Sequence, residues 1–308
     1  MPIDYRRFNG PEDSVSYKQY TKNFLKSYEE LCNELIDENE HRKDGRALDE
    51  ARTMYARTNM ISQAKGSSYV ELKKTKVVCS VFDPREIPNK NEFSPLGQIY
   101  CEVKFAPFSC PRKRRALVPD AEEKDLSLSL KKALEPAVCR YAFPNYQIDV
   151  FVYILEHDGA CLAGAINAAG LALANAAVPM YDTITACSIA VIEDKLYVDP
   201  TEEEEYVANM TPAKEGINHG IITVAMLSTL EQVAGFTQLG SMDGTCVINA
   251  TEILQKECQN IVPIIHQILV KDVIHNIDLS EKLEKEAKLR EAALNENMEE
   301  WKKLLSAD

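Results

Sequence analysis

An uncharged stretch constrains this chain more than any other part of its sequence. Residues 159–181 contain no acidic or basic side chain and are mostly alanine and glycine. The stretch is long enough to cross a bilayer, but its small side chains, with Asn167, Asn175 and Pro179, make its transfer into lipid unfavourable. A helix that is apolar on all sides is typical of a buried position. We therefore predict a buried helix packed closely against a sheet, and no association with a membrane.

The composition excludes several classes of protein. The chain has 308 residues, a formal net charge of −13, 45% hydrophobic and 27% charged residues, which excludes wholesale disorder and an enveloping basic surface. Any contact with nucleic acid must come from a local basic patch. The nine cysteines form no CxxC pair and the five histidines lack metal-ligand spacing. We expect free thiols, no metal, no cofactor and a reducing compartment, since the first residues also lack an apolar leader segment.

Hydrophobic periodicity predicts a mixed order of strands and helices. Tyr28, Leu31 and Leu35 recur at helical spacing, and residues 278–281 have the spacing of a capping box that would start a separate C-terminal helix. The predicted strands are 68–71, 76–82, 98–105, 148–155, 183–192, 195–198, 220–227 and 231–237. The other predicted helices are 122–138, the uncharged stretch and 251–270, and the glutamates at 202–205 are expected on a solvated loop.

This order of elements predicts an α+β fold, because strands and helices do not alternate as they do in a doubly wound sheet. Neither a GxGxxG nor a GxxxxGK[ST] sequence occurs, so nucleotide-binding folds lose their usual support. We expect three parts. They are an acidic helical extension at residues 1–41, a core domain at 42–275, and a charged amphipathic helix at 276–308 that lies on its own core or on a neighbour.

Six blocks of sequence, in one collinear order, resemble the RNase PH family. They lie at residues 42–46, 64–71, 75–81, 105–109, 133–138 and 158–182, and read RKDGR, AKGSSYVE, TKVVCSV, FAPFS, ALEPAV and DG…AAGLAL…VPMYD. Each block alone is a weak signal, but six in the same order form a strong one. The resemblance spans roughly residues 42–270.

The resemblance implies a fold of two related βαβ-type halves, akin to the second domain of ribosomal protein S5. It also implies a hetero-hexameric ring of RNase PH-like subunits, with S1/KH-type cap proteins and single-stranded RNA passing through the pore. Some members are phosphate-dependent 3′ exoribonucleases, and others are structural subunits of the eukaryotic RNA exosome. Residues 62–67 and 106–115 resemble an exosome ring component, which implies RNA degradation, rRNA processing, and a location in the nucleus, nucleolus and cytoplasm.

The residues that phosphorolysis would require are altered. In the family, inorganic phosphate lies at a helix N-terminus beside a hydroxyl and an arginine. The corresponding segment here is Asp158-Gly159-Ala160-Cys161-Leu162, a degenerate phosphate site in which a thiol and a leucine replace those groups. We expect Leu162 to pack against the core. Active members also place an aspartate near the leaving group, whereas no aspartate occurs from residue 200 through 242.

The basic residues that would bind RNA are also fewer than in active members of the family. Active exosome members carry an arginine pair before the LEPA helix, where this chain has the acidic residues 120–123. The candidate RNA-binding residues are therefore Arg112, Lys113, Arg114 and Arg115, which could contact about three or four phosphates. The same run could instead be a solvated loop or a contact to an acidic neighbour.

Three functions remain open. The leading hypothesis is a non-catalytic structural subunit of the hexameric exosome ring that supports 3′–5′ RNA processing by assembly and by lining the RNA path. The alternative is an active phosphate-dependent 3′–5′ exoribonuclease with an altered site. A third is an RNA-binding module that acts alone. A nucleophile formed by Cys161 and His157 is also open, since the two are four residues apart.

Overall fold

Helices and strands follow one another in an order close to the predicted one. The computed structural model describes residues 27–36, 41–87, 93–110, 114–115, 118–210 and 216–305. The helices are α1 Tyr28–Leu35, α2 Ala121–Leu134, α3 Cys161–Asn175, α4 Glu202–Ala208 and α5 Gly244–Leu305. The strands are β1 Met54–Thr58, β2 Gly66–Leu72, β3 Thr75–Glu86, β4 Gln98–Phe105, β5 Tyr146–Glu156, β6 Ile184–Ile192, β7 Lys195–Val198, β8 His219–Leu227 and β9 Gln232–Ser241.

The strands form two sheets. The first sheet has five strands in the order β1-β2-β3-β5-β4, in which β4 and β5 are parallel and the other pairs are antiparallel. A parallel pair requires a crossover, and α2 provides it between β4 and β5. The second sheet has four strands in the order β7-β6-β8-β9, all paired antiparallel. This is the predicted α+β architecture.

Helix α3 lies between the two sheets, as predicted for the uncharged stretch. Its side chains join the main core with residues of both sheets, including Val77 of the first and Ile184 of the second. Small residues make this close approach possible, because a Cβ atom on Gly170 would lie 2.6 Å from the Cγ2 atom of Ile184. The amide of Asn167 is paired with the backbone of Ala186 at 2.8 and 2.9 Å, so its burial leaves no polar group unsatisfied.

Helices cover the other face and the end of the second sheet. The first part of α5 packs against β6 and β8 through Leu254 and Cys258, which are fully buried. Helix α1 begins at a capping box between Ser27 and Glu30, and it buries Leu31 and Leu35 against β6, β7 and α4. The helix predicted near the N-terminus is therefore present over Tyr28–Leu35 and packs on the core. Within the described residues, no helix is both long and apolar enough to cross a membrane.

Four sequence predictions differ from the structure. Strand β1 was not predicted, and β3 continues through Asp83 and Pro84 with a register shift instead of ending there. The glutamates at 202–205 form the first turn of α4 rather than a solvated loop. The prediction of a separate C-terminal helix is wrong, because α5 runs unbroken across residue 276 and residues 278–281 lie in its interior. The division into 1–41, 42–275 and 276–308 stays a prediction.

Candidate functional site

The segment Asp158–Leu162 connects β5 to α3 and carries the degenerate phosphate site. Gly159 has a φ angle of +81° and Ala160 a φ angle of +50°, so the chain turns sharply through the left-handed region before α3 begins. The N-cap residue Ala160 makes no side-chain hydrogen bond that caps the helix. Instead, the backbone N–H of Ala160 donates a hydrogen bond of 2.6 Å to Oε1 of Glu205. A carboxylate of the chain itself therefore lies at this helix N-terminus.

The turn is packed directly against the segment that precedes α4. A Cβ atom added to Gly159 would lie 2.2 Å from the carbonyl oxygen of Pro200 and 2.6 Å from the carbonyl carbon of Thr201. Only glycine fits this contact. The two backbone segments thus touch, and no space for an additional group separates them at this point.

A buried ion pair fixes the two segments together. Nε and Nη2 of Arg52 donate bidentate hydrogen bonds of 2.7 Å each to the carboxylate of Asp199, and Nη1 donates one of 2.7 Å to the carbonyl oxygen of Asp158. Burial opposes ionisation of Asp199, yet its pKa is lowered because the hydrogen bonds and charge of Arg52 outweigh that effect. Arg52 is fully buried, so its five donors hold the turn in place.

Glu205 is held at the α3 N-terminus by tertiary packing. Burial raises its pKa to about 7, although the Ala160 N–H group and the charge of Arg52 both favour the ionised form. The neighbouring Glu204 is buried, whereas Glu205 is partly exposed. Glu204 lies 3.6 Å from Nη1 of Arg42 and accepts a 2.8 Å hydrogen bond from the N–H of Thr201. These contacts orient α4 so that Glu205 faces α3.

Cys161 and His157 are brought together, as their spacing allowed. Nδ1 of His157 lies 2.7 Å from Sγ of Cys161. However, burial raises the pKa of the Cys161 thiol well above its usual value, and the nearby Glu205 raises it further. A protonated, buried thiol is a poor nucleophile, so this geometry does not support covalent catalysis. The described residues include no group of three His, Cys, Asp or Glu side chains that could hold a metal ion.

Leu162 lies between the main core and a pocket. One side packs against the main core, and the other side faces a pocket of about 630 Å³. We call this space the α3 pocket; it is enclosed by α2, the first residues of α3, α4, β8 and β9, and Leu162, Glu205 and Phe236 are among its lining residues. No guanidinium is available at position 162 to clamp an oxyanion there.

The basic run is only partly described. Arg112 and Lys113 lie outside the described residues, Arg114 is exposed, and Arg115 is held within the chain. Nη1 of Arg115 is 2.7 Å from Oε2 of Glu122, and its guanidinium carbon lies 4.0 Å from the centre of the Phe105 ring. The structure thus places Arg115 in an internal contact, while RNA binding by the run stays a prediction.

Two family models match this chain in succession. The 3′ exoribonuclease family, domain 1, matches residues 50–179, and domain 2 of the same family matches residues 182–235. The chain belongs to the RNase PH family. This confirms the resemblance inferred from the six sequence blocks.

Individual relatives narrow the similarity within the RNase PH family. Exosome complex component MTR3 is 34% identical in Homo sapiens over 291 residues and 33% identical in Mus musculus over 286, in each case covering 88% of this chain and 96% of the relative. The resemblance of residues 62–67 and 106–115 was to the exosome component of the mRNA-transport-regulator type, which is the type these relatives represent. A chain of the Archaeoglobus fulgidus exosome with RNA bound to the active site aligns with a TM-score of 0.64 at 21% identity, covering 77% of this chain and 96% of that one. This likeness confirms the RNase PH fold.

Sequence reasoning missed two residues of this RNase PH site, Arg52 and Glu205. Arg52 lies outside the blocks that carried the resemblance, and an isolated arginine before a short edge strand gives no local signal. Glu205 belonged to a run interpreted as solvated. Thr201 and Glu204 have capping-box spacing just before it, which would have indicated a helix there. That helix would have placed Glu204 and Glu205 on different sides, and thus removed the reason to treat all four glutamates alike.

Proposed function

We propose that this chain is a non-catalytic structural subunit of the hexameric RNA exosome ring. The observation that carries the proposal is the hydrogen bond from the N–H of Ala160 to the carboxylate of Glu205. A phosphate ion approaching this helix end would find the Ala160 N–H group already bonded to the Glu205 carboxyl group. It would also find Leu162 where a cation is required. The similarity to the MTR3 exosome components supports the place in the ring.

The expected contribution to RNA degradation and rRNA processing is structural. Neighbouring RNase PH-like subunits would form the ring with this chain, S1/KH-type proteins would cap it, and single-stranded RNA would pass through the pore. We propose the nucleus, including the nucleolus, and the cytoplasm as its locations, as its resemblance to a component of the eukaryotic RNA exosome implies. Nine free cysteines agree with a reducing compartment.

A phosphorolysis assay tests the absence of catalysis. The full chain, alone and in its assembled complex, is incubated with oligo(A) and inorganic phosphate, and nucleoside diphosphate is measured. We expect no release by the chain alone. If the complex releases nucleoside diphosphate, we expect the rate to be unchanged by Leu162→Ala or Cys161→Ala in this chain. Release that one of these substitutions abolishes would identify an active exoribonuclease instead.

A charge-removal experiment tests the basic run. Replacing Arg112, Lys113 and Arg114 by Ser should weaken RNA capture by the assembled ring, and reduce the slope of log affinity against log salt by about 2, given roughly −0.7 per phosphate for single strands. Arg115→Ser should add little to this loss, because Arg115 already pairs with Glu122.

The matched control replaces Lys282, Lys285 and Lys288 by Ser, which removes the same charge from the exposed part of α5. RNA capture by this control should be unchanged. An unchanged salt slope in the basic-run variant would mean that the run is solvated surface, and failed assembly would mean that it contacts a protein neighbour.

A further inference from the structure

The last strand of the second sheet, β9, is an edge strand. In the described part of the chain it pairs with β8 alone, since the sheet order is β7-β6-β8-β9. An edge strand directs alternate N–H and C=O groups away from its sheet, where they can pair with a strand of another chain. The residues of β9 therefore determine whether this edge is protected against such pairing or open to it.

The other three sheet edges carry features that oppose pairing with a further strand. Strand β4 bears Glu102 and Lys104, and β1 has five residues, bears the exposed Arg57 and lies beside α5. Strand β7 has four residues, and the N–H of its Val198 donates a 3.0 Å hydrogen bond to the carbonyl oxygen of Leu48. Charged side chains, short length and a covering segment are the usual ways in which proteins protect a sheet edge.

Strand β9 lacks the residues that protect an edge. It runs for ten residues, and the segment 232–242 contains no charged residue, no histidine and no proline. Its pairing with β8 shifts register at Ala234, which forms a bulge near the start of the strand. From Gly235 to Ser241 the register is continuous, which gives an edge of roughly 20 Å. This length is sufficient for a partner strand of ordinary size.

Apolar side chains of β9 also face solvent. Phe236 is 45% exposed and Leu239 is 58% exposed. The two lie on opposite faces of the sheet, because they are three residues apart in a regular strand. Seven of the ten residues of β9 are exposed, so the strand is accessible along most of its length. A strand added beside β9 would thus bury apolar area on both faces in addition to forming main-chain hydrogen bonds.

The absence of charge on β9 selects among possible partners. RNA would require basic side chains and a basic protein segment would require acidic ones, and the segment 232–242 has neither. Two copies of this chain each carry a net charge of −13 and therefore repel each other on average. An uncharged edge is where this repulsion is weakest, and a two-fold contact between identical strands satisfies the same groups on both copies.

We propose that two copies of this chain associate by antiparallel pairing of β9 with β9. Each second sheet has four strands, so the contact would form one continuous sheet of eight. Main-chain hydrogen bonds provide the affinity, and the exposed Phe236 and Leu239 add apolar contacts on either face. The inference goes beyond the proposed function and does not depend on it, because the open edge belongs to the fold of the single chain.

Two charge variants at one exposed position of β9 test the contact. Gln238→Glu and Gln238→Lys each bring like charges close together across the two-fold axis, so each should self-associate more weakly than the other surfaces of the chain would predict. A 1:1 mixture of the two variants should associate about tenfold more tightly than either variant alone, because attraction replaces repulsion. Sedimentation velocity over a range of full-chain concentrations measures both. The matched control, Gln259→Glu on an exposed position of α5, should associate as the unaltered chain does.

Hydrogen exchange tests the position of the contact independently. The outward N–H groups of β9 gain a hydrogen-bond partner only in the dimer. Residues 232–241 of the unaltered chain should therefore exchange more slowly at high than at low chain concentration. Gln238→Glu should reduce this difference, and mixing it with Gln238→Lys should restore it.

Several outcomes would overturn the inference. The first is a chain that stays monomeric at every concentration, and the second is exchange at residues 232–241 that does not depend on concentration. Mixed variants that associate no better than either alone, or equal weakening by Gln259→Glu, would assign self-association to another surface or to net charge. Pairing of β9 with a different protein while the chain alone stays monomeric would assign the edge to that protein instead.

The outcome for the proposed function is separate. If the chain does not pair through β9, yet enters the ring and forms no nucleoside diphosphate, the proposed function stands and only this inference fails. If β9 pairs with its copy and the chain forms nucleoside diphosphate, the reverse holds.

Discussion

Glu205 is the residue on which the chemistry of the site depends most. Its carboxylate accepts the hydrogen bond of the Ala160 N–H group, yet burial raises its pKa to about 7. The free-energy cost of burying the negative charge therefore exceeds the stabilisation that the helix N-terminus and the charge of Arg52 give to it. Glu205 therefore holds α3 and α4 in a particular arrangement, although burying its charge does not add to the stability of the fold.

Replacing Glu205 by Gln should make stability less dependent on pH. Because the folded pKa of about 7 lies above the ordinary value for a glutamate, the folded state retains, between these two pKa values, a proton that the unfolded state has lost. The resulting stabilisation is complete below the unfolded pKa and disappears as pH rises through 7. At pH 8 the variant should thus be more stable by about 1–3 kcal/mol, allowing for partial solvent exposure. Near pH 5 the two should be alike.

Denaturant unfolding at both pH values measures this difference. Glu281→Gln, which removes a charge from an exposed site on α5, should change stability at neither pH. A difference between the Glu205 variant and the unaltered chain that stays constant from pH 5 to 8 would contradict the prediction.

Helix α5 shows how one element can have two roles. Its first part is buried through Ala250, Leu254, Cys258 and Ile265, whereas the described side chains from Ile274 onward are exposed. Pairs such as Glu281 with Lys285, 3.8 Å apart, support the exposed part only weakly. The first part therefore belongs to the core, and the second projects from it.

Removing residues 279–308 should leave the stability of the body almost unchanged, within about 0.5 kcal/mol, because no described side chain in that part is buried. Circular dichroism should show the loss of helical signal.

In contrast, Leu254→Ala in the same helix should lower the free energy of unfolding by about 2–5 kcal/mol, because Leu254 is fully buried. A large loss of stability on truncation would show that the tail packs against the body.

Elements could be predicted from the sequence where local pattern decides the structure. The small, uncharged residues of α3 and the alternating residues of β4 leave one favourable arrangement each. Capping-box spacing was less decisive, because it marks a true helix start at Thr201 but falls inside α5 at Asp278. The contact of Glu205 with Ala160 could not be predicted, since it depends on how α4 packs against α3. Strand β1 was missed because its alternation is short and includes the exposed Arg57.

At the scale of the whole molecule, the first sheet leaves an aromatic patch in contact with solvent. Phe82, Tyr100 and Tyr153 are 37–43% exposed, and Phe151 makes edge contacts with Phe82 at 5.7 Å and with Tyr100 at 6.1 Å. Helices α2 and α3 pack on the opposite face of this sheet. Exposed patches of this kind mark interaction surfaces, which agrees with a subunit that is completed by neighbours.

The isolated chain should therefore be oligomeric or unstable. The two side-to-side interfaces of a ring subunit are large and apolar, so without neighbours they favour self-association. Sedimentation velocity at micromolar concentration should show species above 34.6 kDa, and the unfolding midpoint should rise with chain concentration. A soluble monomer whose unfolding is independent of concentration would contradict the expectation.

The closed turn at Gly159 also bears on how this chain can evolve. Three features oppose an external anion there: the carboxylate of Glu205, the backbone contact with Pro200, and the missing cation at Leu162. A single substitution removes one of them and leaves the other two, so it yields no activity that selection could favour. A return to phosphate chemistry would therefore require several changes at once.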